Sequence, residues 1–414
     1  MFLRFFIILL VIVLVELYFY QAVHTIIKDY SNGKKTLVNY LYLATSALTI
    51  GVALVSVFYP PTEWNRFFRN YVAGVAFILL FVKVLGATFV LVDDLVRIFR
   101  VAWMYVFPPE NPVQIRNGIS RLKFLSYISV SLAAIPFVSL VYGMFRGAFR
   151  YKVHEVVLKS PKIPASFHGL KIVQVSDIHT GSFTDNSHLE KAFSIVMDQK
   201  PDIIFFTGDL VNNRTDETVG FTETYKKLKA PMGVYSVFGN HDYGDYVQWE
   251  SPEAKKANLE ALKKVHADAG WKLMMNEHVA LERNGEKIAL LGIENWGGNL
   301  HFPKYGKMKE AHAGTEQYPF KILLSHDPSH WAKQVRPEYK DVDLTLSGHT
   351  HGMQFGIEIP GFKWSPVKYL YPQWAGLYKE EDQYLYVNRG LGFLGYPGRV
   401  GIWPEITVIE LQRG

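Results

Sequence analysis

Four long apolar stretches in the first 150 residues constrain the fold more than any other feature of the chain. They cover residues 5–20, 37–59, 71–92 and 124–144. A helix needs about 20 apolar residues to cross the hydrocarbon core of a bilayer, and the last three stretches meet that length. The first stretch is shorter and contains Glu16, so a secretory signal peptide is the alternative for that segment. We therefore predict a transmembrane region of about four helices over residues 1–150.

Charged side chains lie within and beside the third stretch. Lys83 interrupts it, and Asp93 and Asp94 close it. A charge inside a membrane segment is a hint of function. The alternative is that Lys83 extends its amine to the membrane surface and that the two aspartates are hydrated at a helix end.

The excess of basic over acidic residues lies entirely in the apolar part of the chain. Residues 1–150 hold 14 of the 44 Lys and Arg and 6 of the 38 Asp and Glu, so residues 151–414 hold 30 and 32. Basic residues beside apolar segments are typical of membrane proteins. The weakly acidic remainder argues against a nucleic-acid partner, and we predict no protein partner. The chain has no cysteine, which excludes disulfides, thiolate metal sites and cysteine nucleophiles.

The flanking basic residues favour one orientation in the membrane. Four spans place the chain ends on one side, with Arg4, Arg66, Arg69, Arg146, Arg150 and Lys152. The opposite side carries Lys28, Lys34, Lys35, Arg97, Arg100, Arg116, Arg121 and Lys123. The more basic side is usually cytoplasmic. The count therefore favours an extracytoplasmic position for residues 151–414.

Beyond Tyr151 the pattern changes to short apolar strands that alternate with helices. The predicted strands include residues 171–176, 203–206, 234–238, 322–324 and 344–346. Apolar residues at helical spacing over 189–197 and a second helical segment near 253–269 separate them. Asn284-Gly285 predicts a tight hairpin turn. This order predicts a layered α/β domain over residues 151–414.

Each of these five strands runs directly into side chains that are typical metal ligands. In chain order they are Asp177 and His179, then Asp209, then Asn240 with His241 and Asp242, then His326, then His349 and His351. Ligands bind at the carboxyl ends of strands in open α/β sheets. Each motif alone has an ordinary explanation, as a turn or as a structural histidine. Five in succession favour a metal site.

The motifs D-x-H, G-D, G-N-H-D, H and G-H-x-H, in this order, resemble the calcineurin-like metallophosphoesterase family over about residues 168–412. The stretches at 386–392 (YVNRGLG) and 404–407 (PEIT) further resemble its membrane-bound or exported bacterial branch. That branch includes phosphodiesterases and UDP-diacylglucosamine pyrophosphatases. The resemblance implies a layered β-sandwich with flanking helices and a location in the bacterial inner membrane.

The resemblance also implies two divalent metal ions. Asp177, His179 and His351 would hold the first, Asn240, His326 and His349 the second, and Asp209 would bridge them. Carboxylate, amide oxygen and imidazole suit Mn²⁺, Fe or Zn²⁺, with Mn²⁺ favoured, better than Ca²⁺ or Mg²⁺.

Catalytic side chains follow from the same resemblance. His241 matches the family histidine that stabilises the transition state or protonates the leaving group. Asp242 is expected to orient the His241 imidazole, with a role as a turn former as the alternative.

Two weaker features complete the site. Arg389 and Arg399 are candidates for binding a substrate phosphate, with ordinary ion pairing as the alternative. The aromatic run over residues 355–378 predicts either an apolar lid or membrane-facing surface, or loop core packing.

The predicted function is hydrolysis of a phosphodiester or pyrophosphate bond. Anchoring raises the local concentration of substrates that share the bilayer, so a phosphorylated, lipid-linked substrate is the leading choice. The alternatives are a phosphomonoesterase or protein phosphatase, and a non-catalytic metal-bound membrane scaffold. The presence of all seven metal-ligand candidates and His241 argues against the scaffold.

Overall fold

The computed structural model describes residues 2–107, 121–298 and 302–414. Arg116, which entered the count of flanking charges, lies outside the described residues. The chain divides into two compact units, Met1–Tyr142 and Gly143–Gly414. The predicted domain boundary between residues 150 and 151 stays a prediction.

The apolar part of the chain forms long helices. They are α1 (Phe2–Ile27), α2 (Asn32–Phe58), α3 (Gly74–Val106) and α4 (Arg121–Phe145), with a short π-helical segment, Phe68–Ala73, leading into α3. Within the described residues, four helical segments are long and apolar enough to cross a membrane: Phe6–Ile27, Asn32–Phe58, Phe68–Val106 and Lys123–Phe149. The prediction of four apolar helices is therefore confirmed.

A buried ion pair joins α1 to α3. Lys83 Nζ lies 2.8 Å from Glu16 Oε2 and donates to Thr45 Oγ1 at 3.0 Å. Ser46 Oγ donates to the same Glu16 oxygen at 2.6 Å. Both charged side chains are only 5% exposed. Lys83 therefore does not reach the membrane surface, and that interpretation was wrong, because a carboxylate 67 residues away satisfies the ammonium inside the helix bundle.

The second unit is built on two six-stranded sheets. The first has the order β1 (Lys152–Ser160), β14 (Glu405–Arg413), β2 (Leu170–Val175), β3 (Ile203–Phe206), β4 (Val234–Ser236) and β5 (Lys272–Leu273). The second has the order β12 (Gly376–Glu380), β13 (Gln383–Val387), β9 (Leu344–Ser347), β8 (Lys321–Leu324), β7 (Glu286–Gly292) and β6 (Glu277–Arg283). Strands β10 (Ile357–Ile359) and β11 (Phe362–Trp364) form a separate hairpin.

Strand alternation explains how these sheets stack. Ile203 and Phe205 of β3 pack with Ile322 and Leu324 of β8 in a core between the two sheets. Ile204 and Phe206 of β3 face outward into a second core, to which α5 (Ser187–Asp198), α6 (Thr222–Tyr225) and α7 (Pro252–Asp268) contribute. The second sheet has its own outer core, which includes residues of α8 (Met308–His312). The short helix α9 (Arg336–Glu338) completes the unit.

The observed architecture confirms the predicted fold class, a layered β-sandwich with flanking helices that follows an α-helical apolar region. β2–β5 are mutually parallel, as are β7–β9 with β13. Their carboxyl ends therefore lie along one edge of each sheet. The Asn284-Gly285 turn forms as predicted, since Arg283 pairs with Glu286 and both turn residues have positive φ angles of 48° and 84°.

Candidate metal centre

Five strand ends bring the predicted ligands together. Asp177 and His179 follow β2, Asp209 follows β3, Asn240 follows β4, His326 follows β8, and His349 and His351 follow β9. They form two groups of potential metal ligands, Asp177–His179–His351 and Asp209–His326–His349, and in each group the ligand atoms lie within 4.8 Å of one another. Residues from both sheets thus meet at a single centre.

In the first group, two imidazoles face each other. His179 Nε2 lies 3.0 Å from His351 Nε2, which lies 3.3 Å from Asp177 Oδ1. His179 Nε2 is also 3.6 Å from Asp209 Oδ2. Two imidazoles and two carboxylates that converge in this way are a donor set that suits a divalent cation.

In the second group, the tautomer of His326 can be assigned. Its Nδ1 lies 2.7 Å from Thr207 O, and since a carbonyl only accepts, Nδ1 carries the proton. Nε2 then presents its lone pair to Asp209 Oδ2 at 3.1 Å, and it is buried without a hydrogen-bond partner. Histidine metal ligands commonly donate their other N–H to a carbonyl in this way. The second group therefore also fits a divalent cation.

Asp209 lies between the two groups, and Asn240 adds a further ligand to the second group. Asp209 Oδ2 is close to both His179 and His326, so this carboxylate lies between the groups. Asn240 Oδ1 lies 2.8 Å from His349 Nδ1 and joins the second group. All seven predicted ligands are thus in one contiguous cluster.

The electrostatics of the cluster favour bound positive charge. Burial by itself lowers the pKa of His326, but the adjacent Asp209 carboxylate raises that pKa to about 10. Burial raises the pKa of Asp209, and His326 and His241 together lower it well below its ordinary value. His179, fully buried, has its pKa lowered to about 3 by burial. Buried carboxylates beside buried imidazoles therefore favour a cation at this cluster.

His241 is positioned differently from the ligand histidines. Its Nδ1 lies 2.7 Å from Asn212 O and therefore carries the proton, which leaves Nε2 for other chemistry. Its backbone N–H donates to Asp209 Oδ1 at 2.9 Å. The ring stands edge-on to His179 with centroids 5.1 Å apart and lies against Tyr246 at 4.7 Å. His241 is next to the cluster but in neither ligand group.

Asp242 makes contacts other than the one expected from its place in the chain. Its carboxylate accepts backbone N–H groups from Gly239, Asp209, Leu210 and Val211 at 2.8–3.2 Å. Burial, followed by the charge of Asp209, raises its pKa to about 7. The Asn212 carbonyl, and not Asp242, is the hydrogen-bond partner of the His241 ring. The expectation that Asp242 orients this ring was therefore wrong. The carboxylate ties together the loops that follow β3 and β4.

The two arginines proposed as phosphate ligands are occupied by protein groups. Arg389 is 2% exposed and pairs with Glu405 and Glu358. Arg399 is fully buried and donates to the carbonyl oxygens of Gly390 and Gly392. These contacts give no support to substrate binding by either side chain. Arg399 Nη2 instead lies 3.2 Å from His351 Nδ1 and buttresses that imidazole.

The ligand loops adopt an unusual backbone. Five ligands have positive φ angles between 50° and 72°: Asp177, His179, Asp209, His349 and His351. Non-glycine residues with positive φ are uncommon and concentrate at functional sites. Gly348 permits one close approach, since a Cβ there would lie 2.2 Å from Asp177 Oδ2.

Some residues of the centre were missed by the sequence analysis. Asp327 is buried, with Oδ2 3.7 Å from His349 Nε2, and its position directly after His326 was an available hint. Tyr371 Oη lies 2.8 Å from the same nitrogen, and Tyr246 Oη accepts from Asn240 Nδ2 at 2.9 Å. Asn212 contributes only its carbonyl, which leaves no mark in the sequence.

Comparisons with known proteins agree with this chemistry. The family described as "Calcineurin-like phosphoesterase" matches residues 170–353, and "Probable Calcineurin-like phosphoesterase, transmembrane domain" matches residues 3–148. The fold and site are those of the metal-dependent phosphoric ester hydrolases. Within that class, the chain belongs to the calcineurin-like metallophosphoesterase family and carries its four-helix membrane region.

Three relatives illustrate the range of this family. "Uncharacterized metallophosphoesterase YkuE" of Bacillus subtilis is 32% identical over 71% of this chain and 98% of its own length. "Transmembrane protein with metallophosphoesterase domain" of Danio rerio is 32% identical over 72% of this chain, which spans 64% of that protein. "UDP-2,3-diacylglucosamine pyrophosphatase LpxG" of Chlamydia muridarum is 28% identical over 64% of this chain and 91% of its own length.

Proposed function

We propose that this protein hydrolyses a phosphodiester or pyrophosphate bond of a lipid-linked substrate at a dinuclear metal centre. The observation that carries the proposal is the position of Asp209, whose Oδ2 lies 3.6 Å from His179 and 3.1 Å from His326, one histidine of each ligand group. A carboxylate shared in this way holds two cations close together. Such pairs are used for in-line displacement at phosphorus.

The ligand roles follow from the two groups. We assign Asp177, His179 and His351 to one ion, Asn240, His326 and His349 to the other, and Asp209 to both. Mixed carboxylate, amide and imidazole donors favour Mn²⁺, with Fe and Zn²⁺ as alternatives. When bound, such ions lower the pKa of water and stabilise negative charge on phosphate oxygens.

His241 supplies the chemistry that the ligands cannot. Because Nδ1 donates its proton to the Asn212 carbonyl, Nε2 must carry a second proton, as in the imidazolium form, to donate a proton to the leaving oxygen or a hydrogen bond to the phosphate. The orientation of the ring is fixed before substrate arrives. A fixed donor beside the reacting phosphate stabilises the transition state without reorganisation.

Two observations support a lipid-linked substrate. The four candidate spans found among the described residues would anchor the chain in the bilayer, and anchoring raises the effective concentration of bilayer-resident substrates. The Chlamydia muridarum relative is named for cleaving a diacylglucosamine nucleotide. We also propose that the protein resides in a bacterial inner membrane with residues 151–414 outside the cytoplasm. A reporter after Gly414 that is active only in the cytoplasm would overturn that orientation.

Side-by-side turnover tests the proposed function. Detergent-purified protein loaded with Mn²⁺ is given a phosphodiester, a phosphomonoester and a nucleotide-sugar lipid at equal concentration, with the Asp209→Asn variant as the control. We expect hydrolysis of the diester or the nucleotide-sugar lipid to exceed that of the monoester, and to disappear in the variant. A preference for the monoester would favour the phosphatase alternative, and no turnover with two ions bound would favour the scaffold.

A further inference from the structure

The hairpin of β10 and β11 has one apolar and one polar face. Ile357 pairs with Trp364 and Ile359 with Phe362, so these four side chains share a face. Glu358 pairs with Lys363, and this pair lies on the opposite face. The polar side chains and the apolar side chains of the hairpin are therefore fully separated.

The polar face of this hairpin contacts the protein. Arg389 Nη2 donates to Glu358 Oε1, and Lys363 Nζ donates to Ala375 O, both at 2.5 Å. The apolar face is open, with Ile357, Ile359 and Phe362 exposed by 49%, 58% and 53%. A hairpin on a water-exposed surface normally has the reverse orientation. Exposed apolar surface of this kind usually marks an interaction site.

Neighbouring residues enlarge the exposed surface. Phe355 precedes the hairpin, and Tyr369 and Leu370 follow it, all exposed. We define the hairpin patch as Phe355, Ile357, Ile359, Phe362, Tyr369 and Leu370. Lys368 beside it is also exposed. Aromatic and aliphatic side chains next to lysine are typical of surfaces that insert at the headgroup boundary of a bilayer.

The patch is connected to the end of the fourth candidate span. That span is Lys123–Phe149, and its last residues belong to the second unit. There, Arg399 N donates to Gly143 O at 3.1 Å. The next residue, Val400, forms a parallel β-bridge with Phe355, the first residue of the patch. One β-bridge thus separates the patch from residues that contact the end of a candidate membrane span.

The patch is also connected to the metal centre. Tyr371, directly after Leu370, places its hydroxyl 2.8 Å from His349 Nε2. Thr350 Oγ1 donates to Trp374 O at 2.7 Å. Within the aromatic run, Tyr371 and Trp374 are buried in a small core, whereas Phe362 and Tyr369 are exposed.

We propose that the hairpin patch docks on the lipid bilayer in which the chain is anchored, at the boundary between headgroups and acyl chains. In this position the metal centre meets a lipid phosphate at the membrane surface, so the substrate need not leave the bilayer. The second statement rests on the proposed function, whereas docking itself does not.

The absence of cysteine makes a direct test straightforward. The full-length Ile359→Cys protein is labelled with an environment-sensitive fluorophore and reconstituted into phosphatidylcholine–phosphatidylglycerol vesicles. Val219→Cys, at an apolar residue 75% exposed outside the patch, is the matched control. We expect the Ile359 label alone to show blue-shifted emission and quenching by nitroxide-labelled lipid. Equal emission from both labels, with quenching only by aqueous iodide, would overturn the proposal.

An activity measurement separates docking from substrate choice. We expect the Ile359→Ser/Phe362→Ser double variant to lose at least tenfold in turnover of a bilayer-embedded substrate and to keep its rate on soluble bis(p-nitrophenyl) phosphate. Val219→Ser should change neither rate. Equal losses on both substrates would show that the patch supports folding and would refute docking. Lipid quenching without turnover of any lipid substrate would refute the proposed substrate and support docking.

Discussion

Replacing His241 by alanine separates proton donation from metal binding. The variant loses the imidazole but keeps the backbone N–H that donates to Asp209 Oδ1 at 2.9 Å. We therefore expect both metal ions to stay bound. Loss of a general acid slows turnover by roughly 10²–10⁴-fold, which corresponds to about 3–5 kcal/mol in the barrier. The loss should shrink for p-nitrophenolate, because that leaving group departs without a proton.

Asp209→Asn is the matched comparison, since it preserves shape and removes the shared charge. A unit charge about 4 Å from another contributes about 4 kcal/mol at an effective dielectric constant of 20, so we expect metal affinity to fall by roughly 10³-fold. The assay is metal content by mass spectrometry beside turnover of a good and a poor leaving group. The reasoning fails if His241→Ala loses metal as severely as Asp209→Asn, or keeps full activity on the poor leaving group.

Three further substitutions test the supporting structure. Asp242→Asn turns an amide N–H₂ toward backbone N–H donors, and each unpaired buried N–H costs about 1–3 kcal/mol. Thermal unfolding in detergent should therefore occur at a lower temperature. An unchanged unfolding temperature would contradict the role of Asp242 in joining the loops. Gly348→Ala places a Cβ 2.2 Å from Asp177 Oδ2, and metal content should fall; full occupancy would show that the loop adapts. Glu16→Gln leaves Lys83 buried without its counter-ion, and we expect the free energy of unfolding to fall by about 3–5 kcal/mol. The loss should be smaller when Lys83→Met is added. Equal losses in the single and double variants would show that the two charges are not coupled.

The strand ends could be predicted because their physical cause is local. Residues 203–206 form β3 as predicted, since an apolar run of only four residues, rich in isoleucine and phenylalanine and with Gly208 two residues beyond it, favours a buried strand over a helix. Strands of this kind end along one edge of a parallel sheet. From that rule we predicted that ligands between positions 177 and 351 lie close together, and the structure places them in one cluster.

Contacts between distant residues could not be predicted in this way. The contact between Asp242 and the His241 ring was inferred from adjacency, but successive side chains in a helical turn do not face each other. Arg389 is buried because Glu405 and Glu358 approach it in the folded chain. Lys83 is paired with a residue 67 positions away. In each case the partner is set by tertiary packing, which leaves no periodic pattern in the sequence.

The strained backbone of the ligand loops requires an explanation beyond the metal ions. A non-glycine residue at positive φ costs of order 1–3 kcal/mol, so five such ligands cost an amount comparable to the whole stability of a typical domain. The loops stabilise one another. The loop after β2 donates from Asp177 N to Gly208 O at 2.9 Å, and Asp242 joins the loops after β3 and β4.

The remaining two loops are joined to this set by hydrogen bonds as well. Gly348 N donates to His326 O at 2.9 Å, which joins the loops after β9 and β8, and His349 N donates to Asp177 Oδ1 at 3.0 Å, which returns to the loop after β2. Each motif therefore supplies ligands and also holds the backbone of another motif. The chain can maintain five unfavourable φ angles because the hydrogen bonds between loops act together, so the ligands are oriented by the protein before a metal ion binds.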